Sequence, residues 1–369
     1  MTATLRVMLD QLVAPTDPDL EMASRELARG LIAGAPSGCE VEGIAPAGPA
    51  DRRVDIPGLA GVRRAGLARQ QLAAALQLGV ATGIGAGMIH SPTLLAPLVR
   101  HDRVHENDQT VVTIWDLGPW DAPAEFPKSM AAWHRAMLKR AVKHADAVVV
   151  PTHSMAVRLG QIANLGERIR VIAGAAPQGF ALPTDEVGRR RALDLPEGFL
   201  LLAGRAAAAD ALAFGLSAIG RAGLELPVVV IGAGAGEEPA IADLAAAAGI
   251  PERSLHVRGA LEKEDRAAVL GGAVTFVAPA QRSALPWRVL EALALGVPVV
   301  AASSPVHDEV IVDGGILAAA EVDALSGALE QALGSAVAVD RLGVLAADRG
   351  RAFSWRESAD RVWQLHADL

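Results

Sequence analysis

Leu290-Glu-Ala-Leu-Ala-Leu-Gly-Val-Pro-Val-Val-Ala301 is the stretch on which the fold turns. Helix-forming Leu, Ala and Glu run up to Gly296, a residue that commonly stops a helix, and Pro298 follows just past the stop. The period then changes, and Val297–Ala301 is a short apolar run bounded by these breakers, the pattern of a buried strand. Read with the residues before it, the segment is a helix over Pro286–Leu295 feeding a strand. Repeated along a chain, that unit builds parallel sheets with helices on both faces.

The repetition is present upstream. Strands are expected at Phe199–Ala203, Pro227–Ile231, Ser254–Val257 and Val274–Val277, with helices between them. The earlier half reads the same way. Thr4–Leu9 is a strand, and Leu20–Ala33 is a helix with Asp17 or Asp19 as its cap and Met22, Leu27, Leu31 and Ile32 as its apolar set. Leu67–Leu78 is a helix, and Gly87–Ser91 and Thr110–Asp116 are buried strands ending in polar residues. Met130–His144 is helical, with Lys139, Arg140 and Lys143 near the end where cations suit its dipole. Ala145–Val150 and Arg168–Ile172 are further strands. The loop-like run Gly174-Ala-Ala-Pro-Gln-Gly-Phe-Ala-Leu-Pro-Thr-Asp185 separates two α/β halves, and no short-period repeat is present. Residues 43–66 and 100–109 read as loops.

Length and composition agree with two medium-sized domains. The chain has 369 residues, 51% of them hydrophobic, enough for two cores that must be packed without Tyr. Cys39 is the only cysteine, which excludes an intramolecular disulfide and a cysteine-built zinc site and suits a reducing cytoplasm. The opening residues carry no basic region leading into a long apolar stretch, so no signal peptide is expected. The most apolar run, Leu72–Ile89, is interrupted by glycines and is too broken to span a bilayer; any membrane contact is expected to be peripheral at most. Charge is unevenly spread. Through residue 183, 18 Lys and Arg stand against 17 Asp and Glu; after it, 16 stand against 25. So acidic a second half argues against a nucleic-acid partner.

Four stretches carry a family resemblance. His144-Ala-Asp-Ala-Val-Val-Val-Pro-Thr-His-Ser154, Arg170-Val-Ile-Ala-Gly-Ala175, Leu290–Ala301 and Phe353-Ser-Trp-Arg-Glu-Ser-Ala359 occur in the order found in family 4 (group 1) glycosyltransferases of GT-B fold, which the chain resembles. The resemblance implies two Rossmann-like domains facing a cleft: an acceptor domain over 1–175, a nucleotide-sugar donor domain over 186–350, and a last helix, 351–369, returning to the first domain. It implies transfer of a hexose, with retention, from a nucleotide-diphosphate sugar to an unknown acceptor, with no metal and no cofactor beyond that donor. In such sheets ligands gather beyond the carboxyl ends of the strands. Here those ends are Ala14–Asp17, His90-Ser91, Trp115-Asp116, Thr152–Ser154, Gly204-Arg205, Gly232–Gly236 and Pro279–Leu285.

The residue-by-residue match is incomplete. Gly204-Arg205 stands where the family ends its first donor-domain strand, so Arg205 is the candidate phosphate ligand; the plainer reading is a surface arginine. A lysine is expected six or seven residues after Gly204, but Asp210 and Ala211 occupy those positions, and an aspartate repels a diphosphate. Of the family's acidic pair, Glu291 remains to meet the ribose, with Val289 and Leu290 beside it on the donor side. Its partner eight residues earlier is Ser283, and the flexible Gly-Phe-Gly that follows in the family is Ala284-Leu285-Pro286. Arg282 and Arg288 flank the segment and offer positive charge there, or form ordinary salt bridges.

In the first half, the family's strand-end histidine is Trp115, within Thr113-Ile-Trp-Asp116. An indole can stack on a sugar but cannot shuttle a proton at neutral pH. Trp115, Asp116 and Ser283 therefore hold the catalytic positions, with His90, His134, His144 and His153 as substitutes or as structural histidines. Val13-Ala-Pro-Thr-Asp-Pro18 replaces the usual glycine-rich first loop. Gly232-Ala-Gly-Ala-Gly236 follows a strand but lacks dinucleotide-site spacing and reads as a strand-to-helix loop.

Two functions remain open on this reading. One is a glycosyltransferase with a rearranged site; the other is a non-catalytic GT-B protein that binds a protein partner, a carbohydrate or a nucleotide. A sugar epimerase or a phosphorylase fits less well. The first wants cleft carboxylates and histidine, and the second a longer chain and a cofactor-bearing lysine, where the second half has only Lys263.

Overall fold

Thirteen strands form among the described residues, which are 3–49, 54–80, 82–102 and 105–369 of a computed structural model. They fall into two units: residues through Pro177 together with Ser354–Leu369, and Gln178–Phe353.

In the first unit, β1 (Ala3–Met8), β2 (Cys39–Ala47), β3 (Gly61–Ala68), β4 (Met88–Ser91), β5 (Gln109–Thr113), β6 (Ala147–Val150) and β7 (Ile169–Val171) make one sheet in the order β3-β2-β1-β4-β5-β6-β7. Every pairing is parallel. The central strands are buried on both faces, which is why β6 reads as an unbroken apolar run and why the polar residues of β5, Gln109, Thr110 and Thr113, are buried as well. The helix Pro18–Ala33 begins as its sequence requires, with the Asp17 side chain accepting the amides of Asp19 and Leu20.

Two of these strands contradict the reading of residues 43–66 as a loop. β2 and β3 lie largely within that span, and they escape notice because their polar residues are paired across the sheet. Arg6 Nε sits 2.9 Å and Arg63 Nη2 3.8 Å from Glu42 Oε2, so alternating charges serve as cross-strand partners on neighbouring strands. Residues 50–53 and 103–104 of the two expected acceptor loops lie outside the described residues, as do residue 81 of the apolar run and the first two of the chain.

The last helix, Trp355–Asp368, packs on Pro18–Ala33 within the first unit. Its fastening is specific. Trp355 Nε1 donates to Ala176 O at 3.0 Å, Trp363 Nε1 to Leu31 O at 3.0 Å, and Ser358 Oγ to Ala173 O at 2.6 Å. Gln109 Nε2 donates to His366 O, while Gln109 Oε1 meets His366 Nδ1 at 2.8 Å.

The second unit repeats the winding. β8 (Phe199–Ala203), β9 (Val228–Ile231), β10 (Leu255–Val257), β11 (Ala273–Ala278), β12 (Val299–Ala302) and β13 (Ile316–Ala318) form a parallel sheet in the order β10-β9-β8-β11-β12-β13. Leu200, Leu202, Val228, Val230, Val277 and Val300 meet helix residues such as Leu216, Ile241, Leu325 and Leu329 in one core. The strand order reverses between β8 and β11, the place where sheets of this kind open to ligands. No helix among the described residues is long and apolar enough to cross a membrane.

Candidate functional site

At the reversal point of the second sheet, β8 is followed by Gly204, whose φ of +147° lies in a region that side chains rarely adopt. A Cβ there would also sit 2.8 Å from the Asp210 Cβ, so the position takes only glycine. The turn points Arg205 N at Asp210 Oδ2, at 2.7 Å. Arg282, in the loop after β11, donates from Nη1 to Asp210 Oδ1 at 3.1 Å. Asp210, standing where a lysine was expected, is thus held between a backbone amide and a guanidinium.

A second carboxylate lies on the same strand end. Arg205 donates to Glu237 Oε1 from Nη2 at 2.8 Å and from Nε at 3.2 Å. Glu237 Oε2 accepts the amides of Gly234 at 2.8 Å and Ala206 at 3.2 Å. These donors come from two loops, those after β8 and β9, and close on one carboxylate. A Cβ on Gly234 would fall 2.8 Å from the Glu237 Cδ, so the loop admits the carboxylate because it is glycine there. The Arg205 guanidinium, then the Gly234 amide, hold the Glu237 carboxyl below its ordinary pKa, and Glu237 in turn raises that of Arg205. With Arg205 64% and Glu237 22% exposed, the pair contributes little to stability. Its interest lies in where it sits.

The helix Trp287–Leu295 carries the third acid. Glu291 is 1% exposed, and both oxygens are engaged: Arg266 reaches it from Nε and Nη2 at 2.9–3.0 Å, and Arg288 from Nη1 at 2.6 Å. One buried carboxylate is met by two guanidinium groups, Arg266 in the two-pronged geometry that arginine favours. Arg266 also lies 5.8 Å from the Phe180 ring centroid. Val289 and Leu290, on the same helix, are buried; Ser283 lies in the preceding loop and is partly exposed.

The corresponding strand ends of the first unit differ. Trp115 is 6% exposed; its Nε1 donates to Pro92 O at 2.8 Å, and its ring meets Trp355 edge-on at 6.1 Å. Asp116 Oδ1 accepts the Gly118 amide at 2.6 Å, a local turn. At the end of β1, buried Asp10 is bound by Arg69 Nε at 2.8 Å and by Gln11, and burial raises its pKa. His90 is fully buried, within 3.3 Å of Thr113 Oγ1, and desolvation lowers its pKa well below the ordinary value. His134 stands edge-on to Trp120 and Trp133, with burial again lowering its pKa; His153 is exposed.

Gly204, Arg205 and Arg282 therefore come together, joined by Asp210 and Glu237, while Glu291 and Arg288 form a cluster with Arg266. Sequence reasoning missed Glu237 and Arg266. Glu237 had a signal: an acid opening a helix after a glycine-rich strand end, where helices favour negative charge. Arg266 had none, because its partner is 25 residues away.

Residues 197–335 match the family model described as glycosyl transferases group 1. No curated protein sequence matches the chain significantly. Among solved structures, the chain is similar to sucrose-phosphate synthase from Thermosynechococcus elongatus, with TM-score 0.73, 18% identity, and 99% of this chain and 98% of that one covered. It is similar to Anabaena HepE in complex with UDP and glucose, with TM-score 0.73, 14% identity and 100% of both chains covered. A glycosyltransferase from Rickettsia africae gives TM-score 0.70 at 13% identity, covering 100% of this chain and 98% of its own. At these identities the likeness speaks for the fold. The two parallel-sheet units are those of a GT-B fold, and the resemblance to group 1 holds over residues 197–335, within the second unit.

Proposed function

With a GT-B fold and a glycosyl transferases group 1 match over its second half as the premise, we propose that this chain transfers a hexose, with retention, from a nucleotide-diphosphate sugar to an acceptor in the cytoplasm. Negative charge grows on the diphosphate as it leaves, so catalysis requires preorganised donors where that charge develops. The observation that supports this reading is the convergence of Arg205 Nε and Nη2 with the amides of Ala206 and Gly234 on one anionic group at the reversal point of the second sheet. Arg282 adds a second guanidinium close by. In this reading Glu291 marks the ribose side of the same donor, with Val289 and Leu290 as its apolar backing. In this reading the arginines and amides neutralise the leaving group, and no metal or cofactor takes part. Trp115, Asp116 and Ser283 hold the remaining catalytic positions; the indole and the hydroxyl do not shuttle protons at neutral pH, so leaving-group stabilisation is the main source of rate.

The second reading is a non-catalytic GT-B protein acting through a protein partner or as a binder of nucleotide or carbohydrate. Asp210 in place of a lysine and the burial of Trp115 favour it. Melting the protein with UDP, GDP, ADP and TDP in turn separates the two; UDP comes first because HepE is found with UDP and with UDP-glucose. A nucleotide at about a hundred times its dissociation constant adds about 2.7 kcal/mol of stability. Transfer is supported by a shift with one nucleotide that Arg205→Ala removes. No shift with any of them leaves the non-catalytic reading.

A further inference from the structure

Glu237 does to the strand-end cradle what an incoming phosphate would do. Its carboxylate takes the Arg205 guanidinium through Oε1 and the Ala206 and Gly234 amides through Oε2, and Asp210 takes the Arg205 amide and Arg282. None of these donors is an idle group at a helix start. Arg205 and Ala206 follow β8, and Gly234 lies in the loop after β9, some thirty residues further along. Two carboxylates thus stand on adjoining donors of one strand end, as the two phosphates of a diphosphate would.

We infer that Glu237, with Asp210 beside it, is a built-in stand-in for the diphosphate, so that this cradle accepts an anion only by displacing the chain's own carboxylate, and Glu237 sets the affinity. The inference rests on reading the cradle as a phosphate site. Exchange is feasible because Glu237 is held on a surface that water reaches, in a pair whose arginine is largely exposed. A pair of that kind is weak enough for a doubly charged phosphate group to compete with it. Asp210 is the firmer of the two, since the tight turn at Gly204 is closed over it. Displacement of Glu237 alone frees the guanidinium and two amides, while Asp210 continues to oppose the second phosphate. Weak donor binding in the resting protein follows, and it strengthens wherever a partner or acceptor draws Glu237 away.

Inorganic pyrophosphate, which has no base or sugar, is the probe. Calorimetric titration of the wild-type chain, E237Q and the double variant E237Q/R205A tests the exchange. E237Q is expected to bind pyrophosphate roughly ten-fold more tightly than wild type, as the loss of one charged competitor allows, and R205A is expected to cancel the gain. A second measurement covers altered stability in the variants. E237A should be rescued by sodium acetate, with a saturable rise in melting temperature that sodium chloride does not give and that wild type lacks. If E237Q binds pyrophosphate no better than wild type, or acetate fails to rescue E237A, the inference falls. The two proposals fail separately. E237Q that gains pyrophosphate but, like wild type, binds no nucleotide removes the donor reading and keeps the stand-in. Wild type that binds UDP, with E237Q gaining nothing, does the reverse.

Discussion

The two sheets share one winding over six strands, yet their strands finish differently. In the first unit, the ends of β1, β4 and β5 close on buried groups: Asp10 against Arg69, His90 against Thr113, Trp115 against Pro92 and Trp355. In the second unit, the end of β8 and the loop after β11 carry half-exposed or exposed guanidinium groups, each held on a carboxylate. Burial in the first case pushes titrating groups toward their neutral forms; pairing in the second keeps charge at the surface. Exposed, paired charge therefore gathers at these strand ends of the second unit, while those of the first are packed into core. One architecture can thus keep its backbone plan and change which half remains electrostatically active.

The sharpest way to break that comparison is to strike the first unit's packing. Trp363→Ala removes a buried indole that donates to Leu31 O, and should cost about 3–5 kcal/mol in urea unfolding. Hydrogen exchange should assign the loss to residues 3–177 and 354–369; protection lost instead in 178–353 would contradict the division.

Acid comes next. Burial lowers the pKa of His366 to about 4, whereas in the unfolded chain it titrates near the ordinary 6.5. The unfolded state therefore binds its proton first, so the stability present above pH 6.5 is lost as pH falls to about 4, by about 3 kcal/mol. His90, lowered in the same direction and edge-on to His366 at 5.6 Å, adds to the loss. Calorimetry between pH 7 and 4, with exchange to localise the effect, checks it. A first unit no more acid-sensitive than the second would be the contrary result.

Glu291→Ala sharpens the other side. It leaves the Arg266 and Arg288 guanidinium groups without that buried carboxylate and should cost about 3 kcal/mol, with exchange rising around 263–295. No change would mean that the cluster holds charge without supporting the helix. Smallest of all, Arg221→Ala breaks a pair with Asp323 that is exposed on both sides, and should leave stability within about 0.5 kcal/mol.

Much of the scaffold was legible because strands buried on both faces read as continuous apolar runs, as Val148–Val150 and Val228–Ile231 do. β2 and β3 were not, since Glu42 and Arg63 look solvated until the neighbouring strand supplies a partner. Among site residues, Arg205 and Asp210 could be placed by their distance from the end of β8. The roles of Glu237 and Arg266 could not, because each depends on a group 25 to 32 residues away that folding alone brings within reach.

The last helix has a bearing on synthesis. Domains usually complete in the order they leave the ribosome, the first before the second. Here Gln178–Phe353 is whole once Phe353 has been added, whereas the first unit still lacks the helix that supplies Trp355, Trp363 and His366 to its interior. The nascent first half must therefore wait, with the surface around Gly30 and Leu31 uncovered, while the second half is made. A chain released at Phe353 would carry a finished second unit and an unfinished first one.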